Sequence, residues 1–378
     1  MKKTLAAVAV LGAFAGSALA ADVQLYGLID TGLQYLHSDA DTNKDATNSF
    51  SMESGMASAS RFGFKGTEDL GNGLTVGFVL ENGFTSDDGA EKGVFFDRES
   101  SLFLQGGFGK VAFGRMGSIN NGTSSWGKYG MISAFGTSWG DYAAQAGTWA
   151  MGAGLWDNMI SYQTPTFAGV TVYAQYGMGN AVTDYNSVEN ESSSDRYYAL
   201  GATYANGPLN LYLAVDSINY ATYNGKTNTT SDVDDSLTVT LGGNFDFEVV
   251  KLFAGAQYFD EIKLSTMKGA VQLDSGTLAG KMEGWSLGVS ASIPAAGGTV
   301  LVGAAYLDAE AAGSVTGDAK DDELNRWIVS AGYDYPFSKR TDVYGVVTYN
   351  QDQMDSKTAA NDRDPSVYGV MVGLRHKF

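Results

Sequence analysis

The chain of 378 residues has no cysteine, two histidines and five prolines. Without cysteine no disulfide framework can brace the fold. The histidines, His37 and His376, stand near opposite ends of the chain, so no nucleophile with a histidine base is recognisable. Scattered acids such as Asp232 and Asp234 are typical of a solvated loop rather than a Ca²⁺ site. The sequence therefore predicts no enzyme, no metal site and no cofactor.

Long apolar runs are also missing after residue 20. Residues 1–20 have Lys2 and Lys3, an apolar core from Leu5 to Phe14 and a small-residue site ending at Ala20, which predicts a cleaved signal peptide. That core is too short to span a membrane as a helix. The expected mature chain, residues 21–378, carries 22 basic and 42 acidic residues. This acidity argues against nucleic acid as a partner.

The clearest local pattern lies in residues 61–81. Apolar residues at 74, 76, 78 and 80 alternate with small or polar ones, and a Leu70-Gly71-Asn72-Gly73 segment precedes them. Phe62 and Phe64 alternate with Arg61 and Lys65. Period-two alternation beside Asn-Gly predicts a β-hairpin. Its charged face requires water, and its apolar face requires a second sheet or lipid.

Similar alternating runs recur to the last residue. They give sixteen strands, one of them over Phe95–Gln105, joined by seven short connections and eight longer polar ones, of which the first spans residues 37–54. An even strand number with short turns at one end and long loops at the other predicts a transmembrane antiparallel up-and-down β-barrel, all-β, as a single domain. A soluble multi-sheet protein is the alternative, but it gives no reason for the alternation of loop lengths. Residues 23–35 and 366–378 match in length, as closure of the sheet requires.

Several segments carry a family resemblance. They are SRFGFKGTEDLGNGL from Ser60, FDR and FGKVAFGR at 96–98 and 108–115, DVQLYGLIDTG from Asp22, and VYGVMVGLRHKF at the end. Together they resemble the Gram-negative general porins. The resemblance implies a sixteen-stranded homotrimer in the outer membrane, among lipid and lipopolysaccharide. It also implies that the terminal Phe378 is read by the barrel-insertion machinery.

Residues 117–157 form the longest connection without strand character. They hold nine glycines, seven aromatic residues and three charges, Lys128, Asp141 and Asp157. A loop of this length is functional or disordered, and aromatic residues favour packing over disorder. The resemblance implies that it is the third loop, which folds into the barrel and narrows the channel, with Asp141 as its acid.

The resemblance also implies basic side chains on the facing wall. Arg61 matches such a position, and Lys65 shares its face. Arg98 and Arg115 match further basic positions, although alternation places each with apolar neighbours, so that a bulge or a strand end is needed to turn it inward. Because the loop has few acids and the next strand lacks the usual arginine, we expect a weaker transverse field than is usual in the family.

The tryptophans of the long loop allow two interpretations. They can stack on sugar faces, which would make a substrate-selective channel; the four are Trp126, Trp139, Trp149 and Trp156. Alternatively they pack the loop against the barrel wall, which the sequence favours because large aromatic side chains need packing partners.

The predicted function is a water-filled channel for passive diffusion of ions and small hydrophilic solutes. The alternatives are the sugar-selective channel and a surface binding or adhesion barrel that uses its loops. For ions, the acidic total favours cations near the entrance, whereas the four basic residues favour anions at the narrow point. The sequence leans slightly to cations.

Overall fold

A computed structural model describes residues 22–42, 44–122, 124–136, 145–150, 154–179, 188–224, 229–230, 233–263, 278–358 and 362–378. The predicted signal peptide lies outside these residues. Within them, no helix is both long and apolar enough to cross a membrane.

The described residues form nineteen strands, all in antiparallel pairs. Their bounds are β1 Gln24–Asp39, β2 Thr47–Ser54, β3 Arg61–Gly71, β4 Leu74–Gly83, β5 Glu99–Gly106, β6 Gly109–Gly117, β7 Leu155–Gln163, β8 Val170–Gly177, β9 Arg196–Asn206, β10 Leu209–Asn219, β11 Tyr223–Asn224, β12 Thr229–Thr230, β13 Leu237–Asp246, β14 Lys251–Lys263, β15 Lys281–Ala295, β16 Gly298–Ala311, β17 Glu323–Pro336, β18 Thr341–Asp355 and β19 Ser366–Lys377. Strands β11 and β12 form a separate two-stranded hairpin. The other seventeen form one sheet.

The large sheet closes on itself. β1 pairs with β19 from Leu28 opposite Lys377 to Asp39 opposite Ser366. Closure leaves no long unpaired sheet edge, which a sheet in hydrocarbon requires. β2 and β3 share one position, because β2 pairs with residues 31–38 of β1 and β3 with residues 24–28. The seventeen strands therefore make a sixteen-stranded barrel, and the fold predicted from sequence is confirmed.

The shared position corrects one part of the sequence interpretation. Residues 37–54 were expected to be a polar connection, yet they include the end of β1 and all of β2. Thr47–Ser54 has only two large apolar residues, Phe50 and Met52, so its strand character comes from pairing with β1. Between β2 and β3 the chain leaves the sheet, and the backbone N–H groups of Ala57 and Ser58 donate to the buried Asp30 carboxylate.

The predicted hairpin is present as β3 and β4. Gly71, Asn72 and Gly73 have φ angles of 83°, 53° and 75° at the turn. Glycine and asparagine adopt this left-handed region most readily, so the sequence chooses the turn locally.

Every long strand separates an apolar face from a polar one. In β19 the side chains of Tyr368, Val370, Val372 and Leu374 are exposed, and the alternating Val367 and Met371 are buried. The buried face also carries polar side chains, among them Asp30, Gln175, Gln257, Ser290 and Asn350. An apolar outer face around a polar interior is typical of a barrel in lipid.

Candidate functional site

The first group of basic side chains lies where β3, β4 and β5 meet. Arg61, the first residue of β3, places Nε 3.5 Å from Oε2 of Glu81, and Nε of Arg98 lies 2.7 Å from Oε1. The hydroxyl of Tyr26 donates to the same Oε2 at 3.0 Å. One carboxylate therefore holds two guanidinium groups, and we call Arg61, Glu81 and Arg98 the arginine cluster.

Arg98 reaches this cluster because it lies outside the strand. The sequence predicts a strand from Phe95, but β5 begins at Glu99. Phe96 has φ of 56°, a left-handed conformation that interrupts an extended chain. The alternation of Arg98 with Leu102 and Leu104 therefore does not set its direction. Its backbone N–H instead donates to the carbonyl of Glu81 at 3.2 Å.

Arg115 lies at an irregularity of the sheet. The register between β6 and β7 shifts between Gly114 and Met116. Arg115 forms an ion pair with Asp157, and its Nε donates to the carbonyl of Asp97 at 2.6 Å. The Asp97 carboxylate accepts from the backbone N–H of Gly83 at 2.6 Å. Arg115 therefore joins the neighbourhood of the arginine cluster through Asp97, while its own charge is paired with Asp157.

Lys65 lies on the same face as Arg61, four residues further along β3. Its Nζ is 5.1 Å from the ring centroid of Tyr26, a cation–π distance. Because Glu81 and Asp157 offset much of the arginine charge, the field of this wall is weaker than four free cations would give.

The long connection is shorter than predicted, because β7 begins at Leu155 and takes in Trp156 and Asp157. We call the described residues within 118–154 the inner segment, because they bond to the buried polar face of the strands. The predicted Asp141 and Trp139 lie outside the described residues. Trp126 and Trp149 are only 3 % and 1 % exposed, packed in one cluster with Tyr129 and Ile132. Side chains this buried present no face to a passing solute.

The inner segment forms hydrogen bonds with the polar face of distant strands. Tyr212 of β10 and Asn244 of β13 donate two of them. The hydroxyl of Tyr212 donates to Oδ1 of Asn120 at 2.5 Å, and Nδ2 of Asn244 donates to the carbonyl of Met131 at 2.8 Å. Three further contacts are Ala134 N–H to Oγ of Ser290 at 2.9 Å, Ala150 N–H to Oε1 of Gln257 at 2.8 Å, and Nη1 of Arg326 to the carbonyl of Gly147 at 2.8 Å.

Arg326 was not found by sequence reasoning. It is fully buried, and its Nε and Nη2 donate to the two carboxylate oxygens of Asp352 at 2.6 and 2.8 Å. The two residues stand directly opposite in the β17–β18 hairpin. Counting the register outward from the turn at 337–340 would have found the pair; its bond to Gly147, 179 residues away, has no local signal.

Across the described part of the chain, no three His, Asp or Glu side chains are grouped so as to hold a metal ion.

The sequence matches the Gram-negative porin family over residues 6–356. An outer membrane porin protein of Bordetella pertussis is 33 % identical over 417 aligned residues that cover all of both chains. Among solved structures, an anion-selective porin from Comamonas acidovorans superimposes with a TM-score of 0.67 at 27 % identity, over 95 % of this chain and 100 % of that one.

A more distant structure shares the fold. The trimer form of OmpT, an outer membrane protein of Vibrio cholerae, has a TM-score of 0.59 at 16 % identity, over 95 % of this chain and 100 % of that one. With a closed sixteen-stranded barrel, an apolar outer face and a polar interior, these similarities establish that the chain belongs to the Gram-negative porins, the outer-membrane proteins that form channels for passive diffusion.

Proposed function

We propose that the inner segment folds into the barrel and forms the narrowest part of the channel, facing the arginine cluster. The supporting observation is its set of hydrogen bonds to polar-face side chains of β10, β13, β14, β15 and β17. A segment outside the barrel would have to cross the outer face to reach them. A sixteen-stranded barrel is wide enough to keep an aqueous lumen beside such a segment.

Passage through this channel needs no conformational cycle. A hydrated ion or small solute enters from the loop end, passes between the inner segment and the β3–β6 wall, and leaves at the short-turn end. The width left by the segment sets the size limit, and the charges along the wall set the preference among ions.

We further propose a weak preference for anions, although the whole chain has a net charge of −18. Charges on exposed loops are screened beyond a Debye length of about 8 Å. Charges at the narrow point are closer to a passing ion, and there Arg61, Arg98 and Lys65 outnumber Glu81. The solved porin described as anion-selective supports this direction over the slight lean to cations taken from the sequence.

The homotrimer, the lipid partners and the insertion signal complete the proposal. The trimer form of OmpT supports a homotrimer. Outer-membrane lipid and lipopolysaccharide would contact the exposed apolar face, where Trp285 and Tyr306 pack at 5.5 Å and Trp327 and Tyr349 at 5.0 Å. Phe378, proposed as the signal for the barrel-insertion machinery, exchanges two backbone hydrogen bonds of 3.1 Å with Gly27 of β1.

The sugar-selective alternative loses support from the structure, because three of its four tryptophans, Trp126, Trp149 and Trp156, are packed rather than exposed. No described contact favours an adhesion function.

The constriction is tested by single-cysteine labelling, since the chain has no cysteine of its own. Gly130, in the inner segment, and Gly313, between β16 and β17, each have open space where a Cβ would lie. After reaction with an anionic methanethiosulfonate reagent in a planar bilayer, G130C should lose conductance and shift its reversal potential toward cations. G313C serves as the control and should change little. Equal effects at both sites would contradict the constriction, and no current from folded wild-type protein would contradict the channel.

A further inference from the structure

A second group of cations lies nearer the short-turn end than the arginine cluster. Lys110 is the second residue of β6, next to the turn that joins β5 to β6, and it shares the polar face of Ala112. Its Nζ is 4.0 Å from the ring centroid of Phe103 and 5.0 Å from that of Trp126. Nζ of Lys128, in the inner segment, is 5.1 Å from the centroid of Tyr173. All three rings belong to one buried cluster, so both ammonium groups contact the same group of aromatic side chains.

Unlike Lys263 and Lys281, these two lysines are not paired with a carboxylate among the described residues. Lys263 and Lys281 lie 4.0 and 4.9 Å from the ring centroid of Tyr220, but Lys263 pairs with Asp195 at 3.6 Å and Lys281 with Glu261 at 2.9 Å. In the part of the chain that the structure describes, neither Lys110 nor Lys128 forms such an ion pair.

The Glu99 carboxylate attracts Lys110 from a greater distance. Its oxygens, however, accept hydrogen bonds from Ser101 and from both the N–H and the hydroxyl of Ser125. The carboxylate is therefore engaged in holding the inner segment to β5, and it leaves the two ammonium groups without a direct acceptor.

A third donor in the same place also lacks an acceptor. Trp126 is 97 % buried, and within the described chain its indole Nε1 has no hydrogen-bond partner. A buried donor without a partner loses its hydration without compensation. In addition, burial first and the charge of Lys110 second lower the pKa of the Lys128 ammonium. Two ammonium groups and one unpaired N–H group therefore belong to the same aromatic cluster, and a bound anion would offset the charge repulsion and supply the missing acceptor.

We propose that Lys110, Lys128 and Nε1 of Trp126 form a binding site for a small oxyanion, of which inorganic phosphate is the representative, on the short-turn side of the arginine cluster. Lysine ammonium groups bind phosphate as point charges with several donors. With the arginine cluster as one anion site and the two lysines as a second, an anion can pass from one site to the next instead of remaining bound at one. The role in conduction rests on the proposed channel function, but binding itself does not.

The test uses full-length folded protein in a detergent without phosphate groups. Broadening of the ³¹P resonance of inorganic phosphate gives the dissociation constant without requiring conduction. For the K110M/K128M double variant we expect that constant to rise about tenfold or more, as loss of about 1.4 kcal/mol or more implies. Phosphate should inhibit the chloride current of wild-type channels saturably, and that of the double variant much less.

Lys251 provides the matched control. It lies at the short-turn end of β14, 5.4 Å from the ring centroid of Phe253, and the described residues provide no second lysine on the same ring. K251M removes one charge and should leave phosphate binding unchanged. Equal weakening in K251M, or wild-type affinity in the double variant, would overturn the site. Lysine-dependent ³¹P broadening without any current would contradict the channel function but not the oxyanion site. Current without broadening would contradict the oxyanion site but not the channel function.

Discussion

Two walls of the barrel use the same pair of chemical groups in different surroundings. On β17 and β18, Arg326 and Asp352 are both fully buried, and the guanidinium also bonds to Gly147 of the inner segment. On β3 to β5, the side chains of Arg61 and Arg98 are 25 % and 13 % exposed and share Glu81. The first pair has no water to replace a lost partner, whereas the second is partly exposed to solvent. Burial therefore distinguishes a pair that bonds to the inner segment from a cluster that, in the proposed channel, acts on passing ions.

The largest effect is expected from breaking the buried pair. D352A removes the carboxylate that pairs with the buried Arg326 and should lower the free energy of unfolding by about 3–5 kcal/mol. Denaturant unfolding of the barrel in micelles, followed by tryptophan fluorescence, measures the loss. D355A removes an exposed carboxylate from the same strand and should change stability little. A loss below about 1 kcal/mol in D352A would remove the distinction between the two walls.

A smaller effect is expected from removing a neutral anchor of the same segment. Oε1 of Gln257 accepts from the buried N–H of Ala150 at 2.8 Å, and Nε2 donates to Thr240 at 2.9 Å. Q257L leaves that N–H without its acceptor, which should cost about 1–3 kcal/mol. Single-channel recordings should also become noisier as the segment loosens. The exposed Q353L is the control, and quiet currents with unchanged unfolding would show that Gln257 does not anchor the segment.

The arginine cluster should respond mainly in selectivity. E81Q removes the charge that Arg61 and Arg98 share, while the amide still offers an acceptor to Tyr26, so stability should fall by about 1–2 kcal/mol at most. The reversal potential in a KCl gradient should shift toward anions because two cations are no longer offset. E91Q, at an exposed acid between β4 and β5, is the control. A shift toward cations would contradict the role of this wall.

The smallest effect is expected at an exposed ion pair that joins the connection between β16 and β17 to the connection between β18 and β19. Asp321 and Lys357 form an ion pair, and the hydrogen bond from Lys357 lowers the pKa of Asp321. A carboxyl group whose pKa is lowered by folding stabilises the protein at pH values above its pKa in the unfolded chain, about 3.9. That contribution is lost as the pH falls through the pKa of the folded state. Because the pair is exposed, D321N should unfold like wild type from pH 5 to pH 8. A clear loss within that range would show that loop pairs matter to this barrel.

Local patterns in the sequence predicted much of this architecture. The β3–β4 hairpin follows from alternation and from the Gly71-Asn72-Gly73 turn, and the outward face of β19 follows from its apolar positions. Such features depend on neighbouring residues, so they survive without knowledge of the rest of the chain. β2 was missed because its few apolar residues give no strong alternation, and pairing with β1 supplies what its own sequence lacks.

Side-chain partners were harder to predict. Alternation misplaced Arg98, because the left-handed conformation of Phe96 ends the regular chain before it. The direction of the Arg115 side chain depends on the register shift between β6 and β7, which a change in a single residue pair would remove. Arg326 was overlooked, since its buried environment exists only once the inner segment lies against β17.

The sequence by itself determined the alternating faces, the turns and the order of strands around the barrel, because each depends on residues close together in the chain. Only the tertiary structure decided which charges are paired. Closure brings Arg326 to Gly147 and Lys128 to Tyr173, and it leaves Lys110 and Lys128 without the carboxylates that Lys263 and Lys281 have. Charge pairing depends on distances of a few ångströms between residues far apart in sequence, and those distances are fixed only when the sheet closes and the inner segment bonds to its strands.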